Sequence, residues 1–319
     1  MKVSIIIPNY NGKCYLDICI ESIYKQSFDD YEIIIVDNNS IDGSYEYIKN
    51  KYKDIKIIRL EKNYGFSKAV NEGIKASKSD YVVLLNNDTE VKEEWLLSLV
   101  SCIEKDTKIF SCCSKMIRYN EKDRIDDAGD EYTIFGWAYK CGDGASINKF
   151  TKDREVFSCC AGAAIYRRDI FNKIGYFDES FFAYMEDVDM SYRARIYGYK
   201  NVYAGRAQVY HIGSATSGSR YNIFKVRLAV RNNIYVILKN MPFLQIIVNI
   251  PFLVLGFFIK YLFFLKKGMG KEYSQGFIEG IKSKKKIEKV KYSNRNIINY
   301  IIIQLNLIVN TIKLIMLKF

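Results

Sequence analysis

The stretch FFAYMEDVDMSYRAR, residues 181–195, sets Glu186, Asp187 and Asp189 within four positions, directly after a run of large apolar side chains. A carboxyl group with apolar neighbours keeps its proton to higher pH, and a carboxylate that titrates near working pH is what general-base chemistry requires. Helical geometry turns Asp189 away from Asp187 and sets it four residues before Arg193, the spacing of an intrahelical ion pair. Acidic residues also favour helix N-termini for electrostatic reasons. That accounts for Asp189 and bears on Glu186, but it leaves the motif as a whole unexplained.

Such a cluster needs a scaffold, and the first 90 residues describe one. VSIIIP, YEIIIVD, IKIIRL and DYVVLLN are short β-branched runs, apolar on both faces as buried parallel strands are. Between them lie helical spacings: Leu16, Cys19, Ile20 and Ile23; Tyr45 and Ile48; Ala69, Val70 and Ile74. Strand and helix alternating four times predict a doubly wound α/β sheet whose ligand loops sit at the carboxyl ends of the strands. Those loops, Pro8–Asn11, Asp37–Ser40, Asn63–Phe66 and Asn86–Thr89, are each rich in Asn, Asp or Gly. Turn formation alone explains any one of them; four in succession suit a polar ligand laid across the sheet edge. Residues 118–157 read as an irregular or hairpin excursion lining a cleft, after which the chain returns to the sheet.

Composition narrows the class. The chain has 319 residues, 49% of them hydrophobic, which excludes a disordered protein and permits one large domain with an appendage. Its net charge of +12 is unevenly spread: residues 214–319 hold 18 Lys and Arg against 3 acids, leaving the rest slightly acidic. No basic and aromatic residues interleave there as in a nucleic-acid reader, so an anionic membrane surface is the expected partner and nucleic acid is not. Eight cysteines without a C-x-x-C spacing argue against a zinc site and a disulfide framework, and for a reduced, cytoplasmic setting. The N-terminal apolar run before Pro8 is too short for a signal peptide and reads as a strand.

The motifs VSIIIPNYNG, IIIVDNNSIDGS, NYGFSKAVNEGI, VLLNNDT, CAGAAIYRRDIFNKIGYFDESFFAYMEDVDMSYRAR and VYHIGSAT occur in that order over about residues 3–216. As an ordered set they resemble the family 2 glycosyltransferases, in particular the rhamnosyltransferase-like branch. The resemblance implies a GT-A fold, Rossmann-like with a mostly parallel sheet, as a catalytic domain over residues 1–215. It implies an inverting, non-processive hexosyl- or rhamnosyltransferase that moves a sugar from a UDP- or dTDP-type donor to a lipid-linked or growing surface polysaccharide. The Q-x-x-R-W signature of the processive synthases is absent, and only Trp95 and Trp137 exist in the chain.

By the same resemblance Pro8, Asn9 and Tyr10 hold the nucleotide, with Asp37 accepting from the pyrimidine N3–H and Asn39 beside it. A charged acceptor discriminates well for a donor at that edge. Asn63, Gly65 and Asn71 match the segment near ribose and diphosphate, where Gly65 admits close backbone approach and Phe66 packs. Asn86–Asn87–Asp88 occupies the position of the family's D-x-D motif; Asn87 is assigned to the nucleotide, and with Asn86 in the first place only Asp88 offers a charged ligand for Mg²⁺ or Mn²⁺. His211, the sole histidine, matches the position that completes the metal site. Asp187 is then the base and Glu186 orients it or the acceptor. Two other readings share parts of the pattern: a nucleotidyltransferase, which needs no carboxylate base in an acceptor cleft, and a degenerate nucleotide-binding scaffold, suggested by Asn86.

Residues 216–319 are expected to form a helical, basic, membrane-associating region. Residues 240–259 carry no charge and, as a helix, would reach about 30 Å, a bilayer core's thickness. Pro242, Pro251, Gln245 and two Asn interrupt that run, and a second, residues 296–312, is also dotted with polar side chains. Residues 266–295, between the two, hold ten basic residues and three acids. A single crossing would put that basic loop outside, against the positive-inside tendency, so peripheral or monotopic attachment to the cytoplasmic face is favoured over a two-pass hairpin. A helical appendage or a dimer interface remains the plain alternative.

Overall fold

The structure is a computed structural model and describes residues 1–213, 221–283 and 287–318. The expected boundary at 215/216, the last residues of VYHIGSAT and Lys284–Lys286 of the basic run lie outside the described residues.

The four expected strands form: β1 (Val3–Asn9), β2 (Tyr31–Asp37), β3 (Lys56–Arg59) and β4 (Tyr81–Leu85), separated by α1 (Lys13–Tyr24), α2 (Ser44–Lys51) and α3 (Phe66–Ala76). All pair in parallel, β1 lying between β2 and β4. Their apolar runs cover both faces because helices do. Ile5, Ile7, Ile33 and Ile35 pack with Leu16, Cys19, Ile20 and Ile23 of α1, while Ile6, Ile34 and Val36 pack with Ala69, Val70 and Ile74 of α3. Each such fully buried Ile or Leu contributes about 1.5–3 kcal/mol. After β3 the chain crosses back over β1 to make β4. The crevice at the carboxyl ends of β1 and β4 is therefore a topological switch point, where ligands bind in doubly wound sheets.

The chain continues through β5 (Thr89–Val91), α4 (Trp95–Ile103) and β6 (Ile109–Arg118). The 118–157 excursion holds β7 (Ile125–Asp127), the hairpin strands β8 (Asp130–Tyr132) and β9 (Ala138–Lys140), and β10 (Arg154–Val156). As expected, the next segment returns to the sheet: β11 (Ala163–Arg167) inserts antiparallel between β4 and β6. It leads through α5 (Phe171–Ile174) to α6 (Glu186–Ile196) and β12 (Lys200–His211). A register slip between Ala204 and Gln208 re-aims the second half of β12, so that its end pairs with β5 as well as β6.

The C-terminal region is helical: α7 (Ile223–Asn240), α8 (Phe243–Lys266), α9 (Gly270–Lys282) and α10 (Ile297–Lys318). The first apolar run extends past Lys260 and through Pro251 without ending the helix. α8 and α10 invert the soluble pattern. Outward they show Phe258, Ile259, Ile301 and Leu305, among other large apolar side chains, while Gln245 and Asn249 turn inward to Gln304 at 2.8–3.0 Å. Three of the polar residues that interrupt the apolar runs, Gln245, Asn249 and Gln304, thus form a clasp between two helices. Both helices are long and apolar enough to cross a membrane by length and composition, and both are mostly exposed.

Candidate active site

A cleft of about 1320 Å³ opens at the switch point, walled by the strand-end loops, the β8–β9 hairpin, residues 182–188 and the start of α7. On its nucleotide side stand Pro8, Asn9, Tyr10, Asn38, Asn63, Gly65, Asn86, Asn87 and Asp88. An amide chain ties the strand ends together. Asn87 Nδ2 donates to Asn9 Oδ1 (2.7 Å), and Asn9 Nδ2 donates to Asp37 Oδ1 and Ser40 Oγ (both 3.1 Å). Gly12 is required beside it, because a Cβ there would collide with the Asn87 amide.

Three expected nucleotide residues stand elsewhere than on this wall. Asp37 is fully buried, its oxygens taken by Asn9 and by the Ser40 N–H (3.1 Å), and it supports Asn9 instead of lining the cleft. Asn39 adopts a left-handed conformation beside the site, and its neighbour Asn38 lines the cleft in its place. Asn38 donates to Asn63 Oδ1 and to the Gly65 carbonyl, both at 3.0 Å, and accepts from the Tyr64 N–H. Asn71 is buried within α3, where its amide brackets Phe177 by donating to the carbonyl (2.8 Å) and accepting from the N–H (3.1 Å). Single residues in Asn-rich loops cannot be assigned a face by spacing, which is why Asn38 was missed.

Gly65 also differs from expectation. Its φ of +86° suits glycine, and a Cβ would strike the Phe182 carbonyl and ring. The close approach it permits is that of the segment carrying Glu186 and Asp187. Phe66 both packs against the core and borders the cleft.

On the cleft's far side, antiparallel pairing sets His211 opposite Thr89, next to Asp88. His211 Nε2 lies 3.7 Å from Asp88 Oδ2, and its Nδ1 lies 2.8 Å from Asp126 Oδ2. Burial pushes the Asp126 carboxyl up, but the bond to His211 and the Lys140 charge outweigh it and hold the carboxyl below its usual range. An ionised Asp126 accepts a hydrogen bond from Nδ1–H, and in that tautomer Nε2 carries its lone pair on the side of Asp88. Carboxylate-buttressed imidazole beside a second carboxylate is a donor set that fits Mg²⁺ or Mn²⁺. Asp126 was missed by sequence reasoning, since nothing in RIDDAGD separates it from Asp127. A second cluster, Asp127, Asp130 and Cys160, has ligand atoms within 4.8 Å. Burial pushes Asp127 up to about 6 and drives Asp130 and the Cys160 thiol well above their usual ranges, so a cation there would have to displace protons from Asp130 and Cys160.

Glu186 and Asp187 begin α6 on the cleft wall. Burial, then the Asp187 charge, pushes Glu186 well up, and its buried Oε2 has no hydrogen-bond partner among the described residues. Burial also raises Asp187, against the backbone N–H groups of Val188 and Ala161 and the Lys140 charge. Asp189, as expected, pairs with Arg193 (2.8 Å), and it also receives Lys239 and Asn240 from α7. Three non-glycine residues just before the pair, Phe182, Tyr184 and Met185, have φ of 65–70°, a conformation costing roughly 1–2 kcal/mol each.

Comparison with known proteins places this arrangement. The chain is 28% identical over 229 residues to the uncharacterized protein y4gI of Sinorhizobium fredii, covering 68% of this chain and 25% of that one. It is 31% identical over 125 residues to the glycosyltransferase GlyG of Streptococcus pneumoniae, covering 38% and 41% respectively. The chain thus spans less than half the length of either relative. Among solved structures, GalNAc-T7 with UDP, GalNAc and Mn²⁺ superimposes with a TM-score of 0.61 at 19% identity, over 74% of this chain and 47% of that one. The fold is GT-A. The profile of glycosyl transferase family 2 matches residues 4–175, more than half of the chain, and the protein belongs to that family.

Proposed function

We propose that the chain is an inverting, non-processive glycosyltransferase that moves a hexosyl or rhamnosyl group from a UDP- or dTDP-type donor to a lipid-linked or surface-glycan acceptor. The observation that carries this reading is the meeting of three groups in one cleft: strand-end amides for the nucleotide, the Asp88–His211 pair, and Asp187 with a raised pKa. Pro8, Asn9, Tyr10, Asn63, Gly65 and Asn87 bind the nucleotide, Asn38 joins them, and Asp37 acts by fixing Asn9.

Asp187 takes the acceptor hydroxyl's proton as that oxygen attacks the anomeric carbon, while the bond from that carbon to the diphosphate oxygen breaks on the opposite face. One displacement inverts the configuration. Glu186, buried and protonated, donates a hydrogen bond and orients the acceptor or Asp187. Mg²⁺ or Mn²⁺ held by Asp88 and His211 would neutralise charge on the departing diphosphate; the Mn²⁺ in GalNAc-T7, a protein of the same fold, supports that assignment.

The helical tail supports a seat on the cytoplasmic leaflet. α8 touches the catalytic body at two points: Gln245 accepts from Tyr192, and the Gly256 carbonyl accepts from Trp137. α10 does likewise through Asn299 to Ile196 and Asn310 to Tyr132. Helices pinned lengthwise to a polar body lie along a membrane surface, and their apolar outer faces suit the acyl boundary.

The test is donor hydrolysis and transfer over a panel of UDP-, dTDP- and GDP-sugars with Mg²⁺ or Mn²⁺, beside Asp187→Asn. Turnover with one donor that falls by about 10²–10⁴-fold in the variant, with nucleotide binding kept, is the expected result. Unchanged turnover in Asp187→Asn would remove the base assignment. Nucleotide binding without turnover, even with lipid-linked acceptors, would favour the degenerate scaffold.

A further inference from the structure

The residues just before the catalytic pair are held in conformations that local sequence does not favour. Phe182 has φ 65° and ψ −63°, and Tyr184 and Met185 follow at 69° and 70°, none of them glycine. Such geometry persists only where the surroundings over-determine it. The Ser67 N–H of α3 holds the Phe182 carbonyl (3.3 Å), and most of the remaining hold comes from one helix, α7. Asn232 of α7 is fully buried, and its Nδ2 donates to the carbonyls of Phe181 (2.9 Å), Ala183 (2.8 Å) and Tyr184 (2.7 Å). Two amide hydrogens thus serve three acceptors. Arg231 fixes the orientation of that amide by donating from Nε to its Oδ1 (3.0 Å), and reaches on to the carbonyls of Ser180 and Phe181.

The same helix grips α6 beyond the pair, where Lys239 and Asn240 bond the two oxygens of Asp189 (3.1 and 2.8 Å). Glu186 and Asp187 are therefore bracketed on both sides by α7, which the sequence reading assigned to the membrane-associating region.

We infer that Asn232 is a positioning residue for the base: it holds the 181–185 turn in its strained form and so aims Asp187 into the cleft. This rests on Asp187 being the base. Neither aspartate nor alanine reproduces these bonds. Aspartate of the same shape cannot donate when ionised and would set its oxygens against three carbonyls; alanine leaves the Ala183 and Tyr184 carbonyls without this donor, Phe181 keeping Arg231.

The test uses the full chain, with the donor that turns over in the panel above and that donor's nucleoside diphosphate as binding probe. Asn232→Ala and Asn232→Asp are expected to lower kcat on the order of 10²-fold, as misplacing a reacting group by about 1 Å does. Nucleotide affinity and donor KM should stay within about twofold, a split that general loosening of the fold would not give. On an Asp187→Asn background, Asn232→Ala should cost almost nothing more. A kcat within about twofold of wild type in folded Asn232→Ala, or an undiminished loss on the Asp187→Asn background, overturns the proposal. Should the Asn232 variants fail to fold, Arg231→Met, at a half-buried position, is expected to lower kcat in the same direction, and an unchanged kcat there overturns it equally. Full activity in Asp187→Asn would take down the base assignment itself, whereas loss there with full activity in Asn232→Ala would overturn only the positioning role.

Discussion

Asp187 sits among opposing influences, and which of them wins sets its working range. Burial raises its pKa above the ordinary 3.8, while backbone donors and the Lys140 charge pull it down. A base works ionised, so kcat/KM should climb with pH through that raised value and level off above it. Removing Lys140 removes a downward influence. Lys140→Met should therefore move the acid limb of the pH profile to higher pH, read from kcat/KM at saturating divalent cation. A limb that stays in place or moves down would show that Lys140 does not act on the base. Chemistry at this scale was legible where residue type alone constrains it: the acid pair beside apolar residues, and the lone histidine. It was not legible where identical types adjoin. Asn38 against Asn39, and Asp126 against Asp127, differ only in which way the backbone points them, and that is decided by left-handed Asn39 and by a short strand pairing across to β6.

Elements place these residues through a few close approaches. Gly65 separates α3 from the turn before α6 by less than a methyl group, at a φ of +86° that other residues resist. Gly65→Ala should cost about 2 kcal/mol or more, through strain and collision with Phe182, and be visible as a lower urea midpoint. It should also lower turnover, since the turn that gives way leads into Glu186 and Asp187. A variant of wild-type stability would mean the turn moves freely, contrary to the bonds described for it. The parallel half of the sheet could be read from alternating strands and helices, because burial on both faces leaves continuous apolar runs. The antiparallel insertion of β11 and the slip in β12 could not, since both depend on pairings between segments some 50–95 residues apart in sequence. It is that slip which carries His211 to Asp88.

The molecule as a whole offers two kinds of surface. One is the polar body around the cleft, and the other is the outward side of α8 and α10, where Phe258, Ile259, Ile301 and Leu305 stand exposed. With the basic excess of the C-terminal third, this should give binding to vesicles of mixed neutral and anionic lipid, measured by co-sedimentation. Phe258→Glu with Leu305→Glu should weaken it by about tenfold or more, with added salt reducing it further. Equal binding by the double variant would move the apolar face to another role, such as contact between copies. Sequence composition found both apolar helices but misjudged their interrupting polar residues, whose partners lie some 55–59 positions away in the other helix.

The hydrophobic cluster holding Phe181 and Val188 also contains Val236, Leu253, Ile303 and Leu307. The half that bears the cleft and the apolar helical tail therefore share one core. Trimming the chain near residue 215 to gain solubility would strip the wall from behind the proposed base, and stopping after Asn240 would still open that cluster to water. The apolar helices thus complete the core behind the cleft, and a fragment made without them should not keep the cleft's geometry.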